Sequence, residues 1–154
     1  EIIGYYVSTS SKTLDWLTAL EMAVSTRFPD GIHQKKGKPK LITDNGCQPT
    51  SQAFIKACSQ LGIKQIFTTW NNPKGNADTE RVFRTLKEDL VWTNDWNLPF
   101  EFQLDFETWI NDYNTDFPHQ SLSYKTPQQM MQIFINRNQK KEAQKNNESS
   151  LILA

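Results

Sequence analysis

Hydrophobic positions recur along this chain with more than one period, and each change of period marks an element. "IIGYYV" (Ile2 to Val7) is a short run of β-branched and aromatic residues and predicts a strand. From Lys12 to Arg27, Leu14, Leu17, Ala19, Met22 and Val24 fall at spacings that suit one face of an amphipathic helix. "FPDGIHQKKGKPK" combines Pro, Gly and lysines 35, 36, 38 and 40, so it reads as an exposed loop carrying a basic patch. "KLIT" then predicts a short buried strand ending at Asp44. In "NGCQPTSQAFIKACSQLG", Asn45-Gly46 marks a turn and Thr50 or Ser51 can cap a helix carrying Phe54, Ala57, Cys58 and Leu61. Gly62 ends that helix. "KQIFTT" (Lys64 to Thr69) is predicted as a third strand.

After "WNNPKGN", a helix from about residue 76 to 92 should bury Val82, Phe83, Leu86 and Leu90, and another from about 99 to 114 should bury Phe102, Phe106, Trp109, Ile110 and Tyr113. A last helix should start near Pro127 with Thr126 as its cap. Strands alternating with helices predict an α/β layered domain with a largely parallel centre. Residues 1–136 are expected to form that domain, and 137–154 a polar tail, flexible or an extension of the last helix.

Composition adds few constraints. With 154 residues, 37% of them hydrophobic, the chain can bury one ordinary core. Seventeen basic and seventeen acidic residues cancel, so a polyanionic partner would have to be held by a local patch. No apolar run approaches the ~20 residues that span a bilayer, and the N-terminus lacks the features of a secretory signal. Cys47 and Cys58 have the spacing of neither a zinc knuckle nor a redox pair and read as reduced thiols of an intracellular protein. The chain starts with Glu1 inside an expected strand and reads as a piece of a longer polypeptide.

Two carboxylates stand out. Asp44 follows a strand end, where open α/β sheets place working residues; taken alone, an Asp before Asn-Gly is most often a turn former that hydrogen-bonds its own backbone. Asp78 and Glu80 open a helix, where its dipole alone would favour them. Arg84 and Lys87, four and seven residues after Glu80, share its face, and Glu80 is well placed to pair with Arg84.

"ITDNGCQPTS", "NPKGNADTERVFRTLKEDL" and "WINDYNTDFPHQSLSYKTPQQ", in this order and with 35 residues between Asp44 and Glu80, resemble the DDE transposases and retroviral integrases, particularly transposases of bacterial insertion sequences. The resemblance covers roughly residues 1 to 135. It implies a ribonuclease H-like three-layer fold, here N-terminally truncated by the first two strands. It also implies metal-dependent 3′-end cleavage and strand transfer on DNA. Asp44 and Glu80 would be catalytic metal ligands for Mg²⁺ or Mn²⁺, since hard cations prefer oxygen donors. Two ions about 3.5–4 Å apart would stabilise the attacking and leaving oxygens. Arg84, Lys87, Lys74 and Asn45 would contact DNA, at transposon ends and target. Lys74, Gly75 and Asn76 resemble the family's active-site loop. His119 belongs to the family's tail, as a packing or DNA-contact residue. The tryptophans at 16, 70, 92, 96 and 109 are expected in the core or an interface, with Trp70 also bordering the loop.

The family's first Asp has no counterpart. Asp15 falls in the first predicted helix and Asp30 in a Pro-Gly turn. The chain is therefore expected to bind metal weakly and to be inactive alone. The alternatives are a truncated remnant that binds DNA or oligomerises with an intact transposase, and a ribonuclease H-like nuclease. An open sheet edge would favour a homodimer or higher oligomer by strand addition. The expected setting is the bacterial cytoplasm.

Overall fold

Phe54, Pro49 and Cys58 are the largest fully buried side chains among the described residues, and they fix where the packing centre lies. The computed structural model describes residues 1–34, 39–68 and 77–151. Residues 3–97 form one unit, and residues 98–154 with Glu1 and Ile2 form another.

In the first unit the order is α1 (Thr13–Arg27), a 3₁₀ turn (Ile32–Gln34), β1 (Lys40–Thr43), α2 (Gln52–Gln60), β2 (Lys64–Phe67) and α3 (Ala77–Leu86), which runs on into a π turn (Lys87–Val91). α2 begins where the chain supplies a cap: Ser51 Oγ accepts from Phe54 N–H at 3.3 Å. It stops before Gly62, which takes the left-handed conformation (φ 69°) that side chains disfavour. Phe54 and Cys58, four residues apart, point to one face, and Trp16 of α1 meets the Phe54 ring edge-on at 5.9 Å.

Among the described residues the sheet has two strands, β1 and β2, paired in parallel with Lys40 opposite Lys64 and Thr43 opposite Phe67. Ile42, mid-strand in β1, is 61% exposed. The strand expected over Ile2 to Val7 does not form. A strand needs a ladder partner, and none of the described strands offers one to this segment. Gly4 lies against α1 instead: a Cβ there would come within 2.7 Å of Ala23 N and would overlap the Ala19 carbonyl. The apolar face expected of α1 is only half realised, with Leu14 and Met22 exposed and no α1 residue buried. Asp15 Oδ2 accepts from Lys12 N–H at 2.8 Å, so this acid caps its helix.

In the second unit, α4 (Pro99–Thr115) begins on Pro99 and buries Ile110 and Tyr113. Phe102, Phe106, Trp109 and Tyr113 on α4 and Phe117 just beyond its end make successive ring contacts with centroids 5.1–6.4 Å apart. His119 sets its ring against Tyr113 at 4.8 Å, which places it in this aromatic packing. α5 (Pro127–Leu151) starts with the expected cap: Thr126 Oγ1 accepts from Gln129 N–H, and Gln129 Oε1 accepts from Thr126 N–H. No helix among the described residues is long and apolar enough to cross a membrane.

The two thiols differ in access. Cys58 is buried and its pKa is pushed up chiefly by burial, whereas Cys47 is exposed. A thiol-reactive disulfide reagent should therefore modify one cysteine quickly in the native chain and the second only in denaturant. Equal rates for both would contradict the burial of Cys58.

Candidate functional site

β1 ends at Thr43, so Asp44 is the first residue beyond a strand held by β2. The following turn is closed by its own polar groups. Asp44 Oδ1 accepts from Gly46 N–H at 3.0 Å, and Thr50 Oγ1 donates to the Gly46 carbonyl at 2.7 Å. Asn45 Nδ2 donates to the Thr68 carbonyl at 2.6 Å, while Thr68 N–H donates to the Thr43 carbonyl at 2.8 Å, which ties the turn to the end of β2. Gln65 Nε2 braces the same corner from below, donating to the Pro49 carbonyl at 2.9 Å.

Asp44 is thus a turn former, and this does not exclude a ligand role. Its carboxylate is exposed, and Oδ2 has no hydrogen-bond partner among the described residues. Gly46 guards the arrangement, since a Cβ there would lie 3.1 Å from Asp44 Oδ1.

On α3, Asp78 and Glu80 occupy the first turn and both are exposed. The Glu80–Arg84 pair that the spacing allows does not form. Arg84 Nε donates instead to Glu88 Oε1 at 2.7 Å. Glu80 already benefits from the positive end of the helix, whereas Glu88, further along, gains more from a cation. The Arg84 pKa is raised above its ordinary value by this hydrogen bond first and by the Glu88 charge second. Glu80 and Lys87 are left without an ion-pair partner among the described residues.

The helix expected to run to residue 92 changes register at Lys87. Trp92 N–H donates to the Lys87 carbonyl at 2.9 Å, five residues back, and the segment Lys87–Val91 is a π turn. Leu90 is buried there, while Phe83, expected in the core, and Trp92, expected in the core or an interface, are 56% and 69% exposed. Glu80, Phe83, Arg84, Lys87, Glu88 and Trp92 line one open groove of about 580 Å³. The structure therefore brings Glu80, Arg84 and Lys87 together, and separately Asp44 with Asn45. Neither Asp44 nor Asn45 lines the groove. Lys74, Gly75, Asn76 and Trp70 lie outside the described residues, as do Lys35, Lys36 and Lys38. Among the described residues no group of three or more His, Cys, Asp or Glu side chains converges.

The two residues that sequence reasoning missed are the aromatic walls. A 3.6-residue period hides Trp92 because the π turn moves it; for Phe83, Glu80 three residues before and Lys87 four residues after, on the same helical face, were a signal of exposure.

Residues 61–127 match the family model described as "Integrase core domain". The chain is 30% identical over 130 residues to the transposase for insertion sequence element IS904 of Lactococcus lactis, an alignment covering 82% of this chain and 48% of that protein. It is 40% identical over 67 residues, 43% of this chain, to an IgE-binding protein of Mus musculus, of which it covers 12%. The chain thus spans half or less of the length of these relatives. Among solved structures, a chain of the simian T-cell lymphotropic virus intasome in complex with PP2A regulatory subunit B56 gamma superposes with a TM-score of 0.60 at 24% identity. That superposition covers 80% of this chain and 41% of the other. The ordered acidic motifs, the mixed helix and strand architecture and these matches agree: the chain is similar in sequence to the DDE transposases and retroviral integrases and has the ribonuclease H-like integrase fold.

Proposed function

We propose that this chain is part of a catalytic core for metal-dependent DNA 3′-end cleavage and strand transfer, with Asp44 and Glu80 as ligands and Lys87 and Arg84 as phosphate contacts. The observation that carries the reading is the groove in which Glu80 and Lys87, neither ion-paired among the described residues, stand on one face of one helix.

A divalent ion suits the donors in kind, because both are exposed carboxylates and Gly46 N–H already orients one of them. Such an ion, when bound, would polarise the scissile phosphate and lower the pKa of a bound water. The remaining work belongs to the chain. Lys87 neutralises phosphate charge. Arg84, anchored by Glu88, presents a fixed guanidinium rather than a swinging one. Asn45 locks the Asp44 turn to β2 through the Thr68 carbonyl and so acts on position rather than on DNA directly. Two carboxylates make a weak site, so the isolated polypeptide binds DNA, holds metal loosely and does not cut or join strands by itself. Its partners are DNA, at transposon ends and target, and further protein subunits.

Binding to a labelled duplex should weaken steeply as salt rises, with log K linear in log salt. Lys87→Ala should lower the magnitude of that slope by about one, uniformly across sequences. A slope indifferent to Lys87, or duplex binding independent of salt, would remove the phosphate role. Metal-dependent nicking by the purified chain would remove the claim that it is inactive alone.

A further inference from the structure

We propose that the groove beside Glu80 takes an unpaired nucleotide of a DNA end, the base stacking on Trp92 and Phe83 and the phosphate held by Lys87. The inference rests on the DNA-acting reading above and names what that site grips.

It starts from the π turn. In an unbroken α-helix, five residues turn through about 500°, which would aim Trp92 roughly 140° away from Lys87. The bond from Trp92 N–H to the Lys87 carbonyl closes a ring of one more residue and sets Trp92 over Lys87. The helix has thereby carried an indole onto the cationic side. Two large rings, 56% and 69% exposed, then flank a lysine with no ion-pair partner among the described residues. Aromatic faces interleaved with cations are the grip used for single-stranded nucleic acid, because every base offers a π-face and every nucleotide a phosphate.

Size and charge fit the same occupant. About 580 Å³ lies within the roughly 300–1,000 Å³ of small-ligand sites, room for one nucleotide and not for a duplex. Glu88 is neutralised by Arg84. Glu80 lies seven residues before Lys87, about 10 Å along the helix axis, so a phosphate on Lys87 stands clear of that carboxylate. A fully paired end offers only the outer face of its terminal pair and holds each base against its partner, whereas a base set between two rings beside a lysine has to leave the pair, so the occupant is an unpaired nucleotide.

The test uses the full chain and two duplexes of the same sequence, one blunt and one with a short single-stranded end carrying 2-aminopurine at its terminal position. The wild-type chain should quench 2-aminopurine and bind the overhang duplex about tenfold more tightly than the blunt one. Trp92→Ala should abolish most of the quenching and equalise the two affinities, while Trp92→Phe should keep most of both. Circular dichroism should show both variants folded, as expected for so exposed a side chain. If Trp92→Ala quenches and discriminates like wild type, the inference is wrong and the DNA-acting reading stands. If the wild-type chain binds neither duplex, both are wrong. A self-association that Trp92→Ala abolishes without changing DNA binding would assign the rings to a second copy of the chain and overturn the proposal.

Discussion

Phe54→Ala should lower the unfolding free energy of residues 3–97 by about 3–5 kcal/mol, the largest stability effect expected of any single change in this chain. The ring is 2% exposed, lies against Trp16 of α1, and stands on the same face of α2 as buried Cys58. Removing it takes away the transfer free energy of the ring and leaves a cavity that α1 and the sheet cannot both collapse to fill. Domains of this size are stable by roughly 5–15 kcal/mol, and each kcal/mol lost lowers the Tm by about 4–8 °C, so the variant should be largely unfolded at moderately raised temperature. Urea unfolding followed by circular dichroism measures it. Phe83→Ala is the control: that ring is exposed, and its loss should change stability by no more than about 0.5 kcal/mol. Equal costs for the two would mean that the core is not centred on Phe54.

That contrast also shows which parts of the fold could be read in advance. α2 was legible because every signal for it is local: a Ser51 cap, apolar residues four apart, and Gly62 to stop it. The start of α5 was legible for the same reason, through Thr126, Pro127 and Gln129. The segment Ile2 to Val7 was misread because strand formation depends on a partner, which is a non-local property that composition does not carry. α3 was read correctly as a helix and wrongly in its second half. A π turn is a change in backbone hydrogen-bond register, and side-chain periodicity cannot announce it. Leu90 is buried as expected, whereas Phe83, assigned to the interior, is found in the groove together with Trp92.

The site shows the same division. Asp44's bond to Gly46 N–H follows from the Asn-Gly turn beside it, whereas Asn45's bond to the Thr68 carbonyl depends on the register of β1 against β2 and had no local signature. The exchange of Glu80 for Glu88 as Arg84's partner had none either, because both acids stand four residues away. That exchange matters for function, since it leaves the Glu80 carboxylate available.

Asp44→Asn and Glu80→Gln should each weaken Mn²⁺ binding by about tenfold or more, followed by loss of the free-ion electron paramagnetic resonance signal on titration. Each substitution removes a charged oxygen donor, and an amide oxygen is a poor replacement for a hard cation. Changes outside the ligands themselves already cost such sites about 10–100-fold, which predicts an intermediate loss for Gly46→Ala: the added methyl would crowd Asp44 Oδ1, now 3.1 Å from where it would stand. Asp78→Asn, two residues from Glu80 and so on another face of α3, should change binding less than twofold and controls for general charge. The double variant decides whether the two carboxylates share an ion. If they do, removing the second ligand costs little once the first is gone, and the two effects fall well short of adding. Full additivity would mean separate sites, and a null effect at either residue would remove that residue from the ligand set.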